Sequence, residues 1–169
     1  MTTPEAILEI LSRAYQIEVD GYTFYSMTAE RAEKPAVQEL FAKLASDEIK
    51  HQAFLKSVAG DYDKKGLAAF ALELKPPEAQ ALASKMFTGR FREQAAGAQF
   101  ELGVVSIGMT LETNAIRYFT EAATNAAERE IKDFYTFLAN WEKQHYEALQ
   151  EIFTLVRADH MAESRFAPY

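Results

Sequence analysis

Apolar residues return at helical spacing along four long stretches of the chain. Leu8, Leu11, Ala14, Tyr15, Tyr22, Tyr25 and Ala29 make the first stripe. Val37, Phe41, Leu44, Ala45 and Leu55 make the second. Val104, Val105, Gly108, Ala115, Ile116 and Phe119 make the third, and Ile131, Tyr135, Leu138, Ala139, Leu149, Ile152 and Val156 the fourth. Spacings of three and four residues put each set on one helix face. The pattern predicts helices over about 4–33, 36–59, 90–124 and 126–158. Thr3-Pro4-Glu5 reads as a helix start, and Lys34-Pro35 as a break with proline opening the next helix. Gly60 reads as a stop, and Asn125-Ala126-Ala127-Glu128 as a capping box. Between them, Asp61 to Gly66 and Pro76-Pro77 mark a crossover over about 60–89, with a short helix near 78–87. Glu163 to Tyr169 reads as an irregular tail. The expected fold is all-α, one domain over 1–169: a four-helix bundle of two helical hairpins joined by a long crossover.

Charged residues interrupt these stripes in a regular way. Glu48-Ile49-Lys50-His51 and Glu142-Lys143-Gln144-His145 both read Glu-x-x-His, so each carboxylate and imidazole share a helix face. Thirty residues before each of these glutamates stands another, Glu18 and Glu112. The set Glu18/Glu48/His51 thus recurs as Glu112/Glu142/His145 at an offset of 94, as do the identities Ala29/Ala123, Leu44/Leu138, Ala45/Ala139 and Leu55/Leu149. At about 1.5 Å per residue, all four glutamates lie roughly 20–25 Å from their hairpin turns. The four helices can therefore present them at one level.

With 19 glutamates in 169 residues, a Glu three before a given His is about a one-in-nine accident, and a single copy would carry little weight. Two of only three histidines carry it here, each with a further Glu thirty residues upstream of the motif. The glutamates also fall on apolar faces, where an isolated carboxylate costs several kcal/mol and four together repel. Two divalent cations would balance them. Carboxylates with imidazoles suit iron, with manganese as the alternative, better than zinc. On this reading Glu18, Glu48, His51, Glu112, Glu142 and His145 are the metal ligands and the catalytic centre. Glu48 and Glu142 bridge, Glu18 and Glu112 are terminal, and each histidine takes one metal. Tyr25, seven residues after Glu18, is a candidate to hydrogen-bond a ligand carboxylate. Asp47 is a candidate to orient a histidine, and its repeat partner is Trp141. Trp141 and Tyr146 read as packing residues, and His160 as a surface residue.

Composition narrows the setting. Half the chain is hydrophobic (49%) and a quarter charged (25%), which suits a globular domain with a real core. There is no cysteine, so disulfides, thiolate zinc sites and iron–sulfur ligation by these residues are excluded. A net charge of −7 argues against nucleic acid as a partner. No apolar run is long enough for a membrane span, and the N-terminus MTTPEAILEI lacks the basic and apolar regions of a signal peptide. A cytoplasmic protein is expected.

Glu18 with Tyr25, Glu48-x-x-His51, Glu112 and Glu142-x-x-His145 together resemble the rubrerythrin branch of the ferritin-like superfamily, over about residues 5–157. The resemblance implies a ferritin-like bundle with two iron ions. It implies reaction with hydrogen peroxide or dioxygen, electrons from a separate donor protein, and a homodimer or larger homo-oligomer. Relatives of that branch oxidise ferrous iron, so a ferritin-type ferroxidase that sequesters iron is the alternative. A non-catalytic helical adaptor is the third reading, disfavoured by the ligand set. Two departures from the family pattern stand out. These 169 residues offer no cysteine for a rubredoxin-type iron, and Ala115 occupies the place of a second glutamate three residues after the ligand in the third helix.

Overall fold

The computed structural model describes residues 4–70 and 99–163. Four α-helices carry those residues: α1 (Pro4–Arg31), α2 (Pro35–Lys65), α3 (Gln99–Asn125) and α4 (Arg129–Glu163). A single 3-10 turn, Gly66–Ala69, follows α2, and no strand occurs among the described residues. The short helix expected near 78–87 and the tail beyond Glu163 lie outside the described residues, as does the side chain of His160. None of the helices is long and apolar enough to cross a membrane. Helices α1 and α2 pack as one antiparallel hairpin and α3 and α4 as another, with α1 also touching α3. This is the all-α four-helix bundle that the apolar stripes predict, and it agrees with the ferritin-like bundle that the resemblance implies.

The two hairpins are copies of each other in register. Helix α1 ends at Arg31 and α2 begins at Pro35, while α3 ends at Asn125 and α4 begins at Arg129, so both turns are shifted by the same 94 residues. Pro35 opens α2, and Lys34 before it is held extended (φ −94°, ψ 125°), as a residue preceding proline must be. In the second turn the capping role expected of Asn125 is not observed. Asn125 is the last residue of α3, and the first carbonyl of α4 is that of Glu128, which accepts from Lys132 N at 3.0 Å.

Helix α2 runs past Gly60, where the sequence suggested a stop. A glycine inside a helix costs about 1 kcal/mol against alanine. That is too little to end a helix whose packed face continues past it to Tyr62, half-buried against the core and edge-on to Phe70. The helix ends instead at Gly66, whose φ of +60° is a left-handed conformation open to glycine. Beyond it Phe70 folds back edge-on against Phe134, ring centroids 5.0 Å apart.

The core follows the stripes with two corrections on α1. Ile7, Leu11, Ala14 and Tyr25 are buried, but Leu8 is 50% and Tyr22 37% exposed. The buried line passes through Ile7, one residue back from Leu8, so Leu8 is turned about 100° out of it. On α3, Val105, Ala115 and Phe119 are buried, with Val104 and Ile116 at the margin.

Candidate metal centre

Helix register brings the six sequence-selected residues together. Glu18 lies 13 residues before the end of α1, and Glu48 13 residues after the start of α2. Glu112 and Glu142 hold the same positions on α3 and α4. Each is therefore about 20 Å from its turn, and the four carboxylates meet at one height. All six residues are buried, none more than 4% exposed.

The imidazoles point into the carboxylates. His51 Nδ1 lies 2.9 Å from Glu18 Oε2, 3.1 Å from Glu48 Oε2 and 3.9 Å from Glu142 Oε1. His145 Nδ1 lies 3.2 Å from Glu48 Oε1, 3.5 Å from Glu112 Oε1 and 3.7 Å from Glu142 Oε2. Two overlapping sets have ligand atoms mutually within 4.8 Å: Glu18, Glu48, His51 and Glu142, and Glu48, Glu112, Glu142 and His145. Glu48 and Glu142 belong to both.

The electrostatics are those of buried carboxylates and imidazoles crowded against one another. Burial, aided by the neighbouring Glu48 charge, pushes the Glu18 carboxyl up to about 8 against the pull of His51. Glu142 is raised well above the carboxylate range by burial and by the charges of Glu18, Glu112 and Glu48. Burial would raise Glu48 too, but the charge of His145 and the closeness of both histidines outweigh it and hold Glu48 low. Both histidines are raised: burial opposes their charge, and the surrounding carboxylates win. Glu18 Oε1, Glu48 Oε2, Glu142 Oε1 and His145 Nδ1 are buried with no well-aligned hydrogen bond. Natural interiors rarely leave four such atoms in one place. An electrophile bound among them would satisfy all four, so the donor set fits a metal.

Around this cluster the two halves differ. Tyr25 is fully buried and donates its hydroxyl to Glu112 Oε1, across from α1 to α3. Asp47 does not reach a histidine. Its carboxylate is held by Lys43 at 2.8 Å and Lys50 at 2.6 Å, which keep it ionised. It sits 100° round the helix from Glu48, within reach of outward lysines one turn away on either side. Trp141 stands at the repeat-related place and stacks on His51, centroids 4.0 Å apart and planes within 6°. His51 in turn stacks on His145 at 5.1 Å.

Two further residues, Gly21 and Gln52, were given no role from the sequence, although Gln52 shares the inward face of the second helix. Gly21 lies against Glu48: a Cβ there would stand 3.0 Å from Glu48 Oε1 and 3.2 Å from its Cδ. Its repeat partner is Ala115, so the 94-residue offset was the signal that could have found it. Gln52 accepts from Tyr15 at 3.3 Å and donates to the Glu18 carbonyl at 3.2 Å, tying α2 to α1 beside the cluster.

A family model described as Rubrerythrin matches residues 9–153. No curated protein and no solved structure matches the chain.

Proposed function

The chain belongs to the rubrerythrin family, and from that premise we propose that it is a non-haem di-iron oxidoreductase reacting with hydrogen peroxide or dioxygen. The observation that carries this reading is the sharing of Glu48 and Glu142 between two buried Glu/His sets. Shared carboxylates are what a pair of adjacent cations needs. Glu18 and His51 would hold one iron, Glu112 and His145 the other, with Glu48 and Glu142 between them. Iron bound there supplies electrons for reduction of the oxidant, and manganese is the alternative metal. An external donor returns the electrons, in a cytoplasmic setting.

The protein's own residues supply placement and exclusion of water. Burial of all six side chains limits solvent contact with the cluster to the side on which Glu48, Glu112 and Glu142 line a cavity. Tyr25 fixes Glu112 by its hydrogen bond, and Trp141 fixes the plane of His51 by stacking. Such supporting contacts set ligand orientation and metal affinity.

The test is an anaerobic ferrous titration of metal-free protein, followed by stopped-flow mixing with peroxide. Uptake is expected to saturate at about two equivalents per chain, with iron oxidised rapidly on mixing. Glu48→Ala is expected to weaken both sites and His51→Ala mainly one. Saturation at one equivalent, or no uptake, overturns the dinuclear reading.

A further inference from the structure

Between α1 and α3 a cavity of about 260 Å³ leads from the surface to the carboxylate cluster. Its buried end is formed by Glu48, Glu112 and Glu142. Glu18 and the two histidines do not line it, so it approaches the cluster from one side. Ile17, Leu111 and Tyr118 make apolar walls, and Asp20 and Asn114 stand at the exposed rim. Asp20 also accepts from Gln16 at 2.8 Å, and Asn114 from Arg117 at 3.2 Å, so the rim is held in place.

Two small residues keep the cavity open. Gly21 and Ala115 both line it, are related by the 94-residue repeat, and each lies three residues after a cluster glutamate. A longer side chain at either place would fill it. Peroxide or dioxygen needs no such room: water takes about 30 Å³ per molecule in the liquid. Sites for drug-sized ligands start at roughly 300 Å³. The space therefore fits one small ring. Its chemistry is apolar in the middle with hydrogen-bond acceptors at both ends, carboxylates inside and Asp20 with the Asn114 carbonyl outside. A flat apolar molecule with an O–H donor at each end matches that order.

We propose that the cavity binds a hydroquinone-class reductant, which delivers its electrons directly at the cluster. This rests on the reading of the cluster as a redox-active metal pair. The overall step balances: hydroquinone gives up two electrons and two protons and leaves as quinone. The O–O bond of hydrogen peroxide breaks, takes up those electrons and protons, and leaves as two waters. The external donor is then a small molecule rather than a protein.

Binding is measured separately from turnover. Calorimetry on manganese-loaded protein is expected to show one saturable site for 1,4-dihydroxybenzene. At least tenfold weaker binding is expected for 1,4-dimethoxybenzene, which keeps the ring and loses both donors. Ala115→Leu, which fills the cavity, is expected to weaken dihydroxybenzene binding at least tenfold while metal uptake stays at the wild-type value. Should that variant fold or load poorly, Asn114→Trp closes the rim instead and is expected to do the same. In iron-loaded protein, quinone should appear one for one with peroxide consumed. Absent saturable binding, equal binding of the dimethoxy compound, or equal binding by a loaded cavity-filling variant overturns the proposal. Metal uptake without dihydroxybenzene binding sinks this inference alone. Failure of metal uptake sinks the di-iron reading, and binding of the ring to metal-free protein then decides the cavity separately.

Discussion

Trp141 lies flat on His51, with ring centroids 4.0 Å apart, and its far side packs on Phe137 and Phe54 at 4.6 and 5.0 Å. It joins the Glu/His cluster to the aromatic core at the α2–α4 contact. Because it is the only tryptophan, the emission comes from one place, beside His51. Stepwise metal loading is expected to change that emission in proportion to occupancy of the His51 side, and His51→Ala to abolish the change. Unchanged emission at full metal uptake would mean that His51 is not a ligand. Trp141→Ala is expected to lower stability by about 3–5 kcal/mol through the cavity it opens. Trp141→Phe, which keeps a ring on His51, should lose less and retain both metals.

The second prediction follows from protonation of the metal-free cluster. Glu18 titrates near 8 when folded, against 4.5 for an ordinary glutamate. A raised folded value means that the folded state holds the proton more tightly. The stability it contributes is full below about 4.5 and is lost as pH rises to about 8. Glu142, also raised, and the two raised histidines act in the same direction, the histidines above 6.5. Glu48 alone is lowered, so its contribution is lost only in acid. Metal-free protein is thus expected to melt at progressively lower temperature from pH 5 to pH 8. Loading must displace protons, so the gap between loaded and metal-free melting temperatures should widen over that range. Calorimetric scans with and without chelator measure it. A metal-free melting temperature that rises with pH would contradict the protonation pattern.

Much of this was legible in the sequence because the site is written in helical spacing. The Glu-x-x-His pairs and the 94-residue repeat fix which side chains share a face and a height, and burial of all six follows. What the sequence left open depends on directions round the helix and between helices. Asp47 is one residue from Glu48, yet that rotation is enough to give it to Lys43 and Lys50. Gly60 looked like a terminator, but only a positive φ makes a glycine one, and Gly66 has it. The contacts of Trp141 with His51 and of Gly21 with Glu48 cross between helices, and no local pattern reports them.

Gly21→Ala should separate metal binding from folding. Inside α1, alanine favours the helix by up to about 1 kcal/mol over glycine. The added methyl would sit 3.0 Å from Glu48 Oε1, a contact that makes the carboxylate give way. Without metal the side chain can yield by a few tenths of an ångström. With metal it is needed on both sides at once. Metal-free Gly21→Ala is expected to be as stable as wild type or slightly more so, and to bind metal about tenfold more weakly, ~1.4 kcal/mol. Chemical denaturation of metal-free protein and competitive chelator titration read the two effects separately. Equal metal affinity would show that the room beside Glu48 is not used.

Ala115 offers the last and most direct handle on the chemistry. It is buried, lies one turn past Glu112, and lines the cavity beside Glu48, Glu112 and Glu142. A glutamate there would reach toward the cluster and add a fifth carboxylate, the pattern from which this chain departs. In metal-free Ala115→Glu the extra acid meets like charges in a buried place, so stability is expected to fall below wild type. Bound cations should restore it, and metal content must be matched before rates are compared. At equal iron loading, wild type is expected to oxidise ferrous iron readily but to reduce peroxide more slowly than Ala115→Glu, by about tenfold or ~1.4 kcal/mol of barrier. The same substitution takes up cavity volume and should weaken dihydroxybenzene binding. Peroxide reduction would then rise with a donor that needs no access to the cavity and fall with hydroquinone. Stopped-flow traces with each donor distinguish the two. If wild type reduces peroxide as fast as Ala115→Glu with the cavity-independent donor, the residue at position 115 does not set peroxide reactivity.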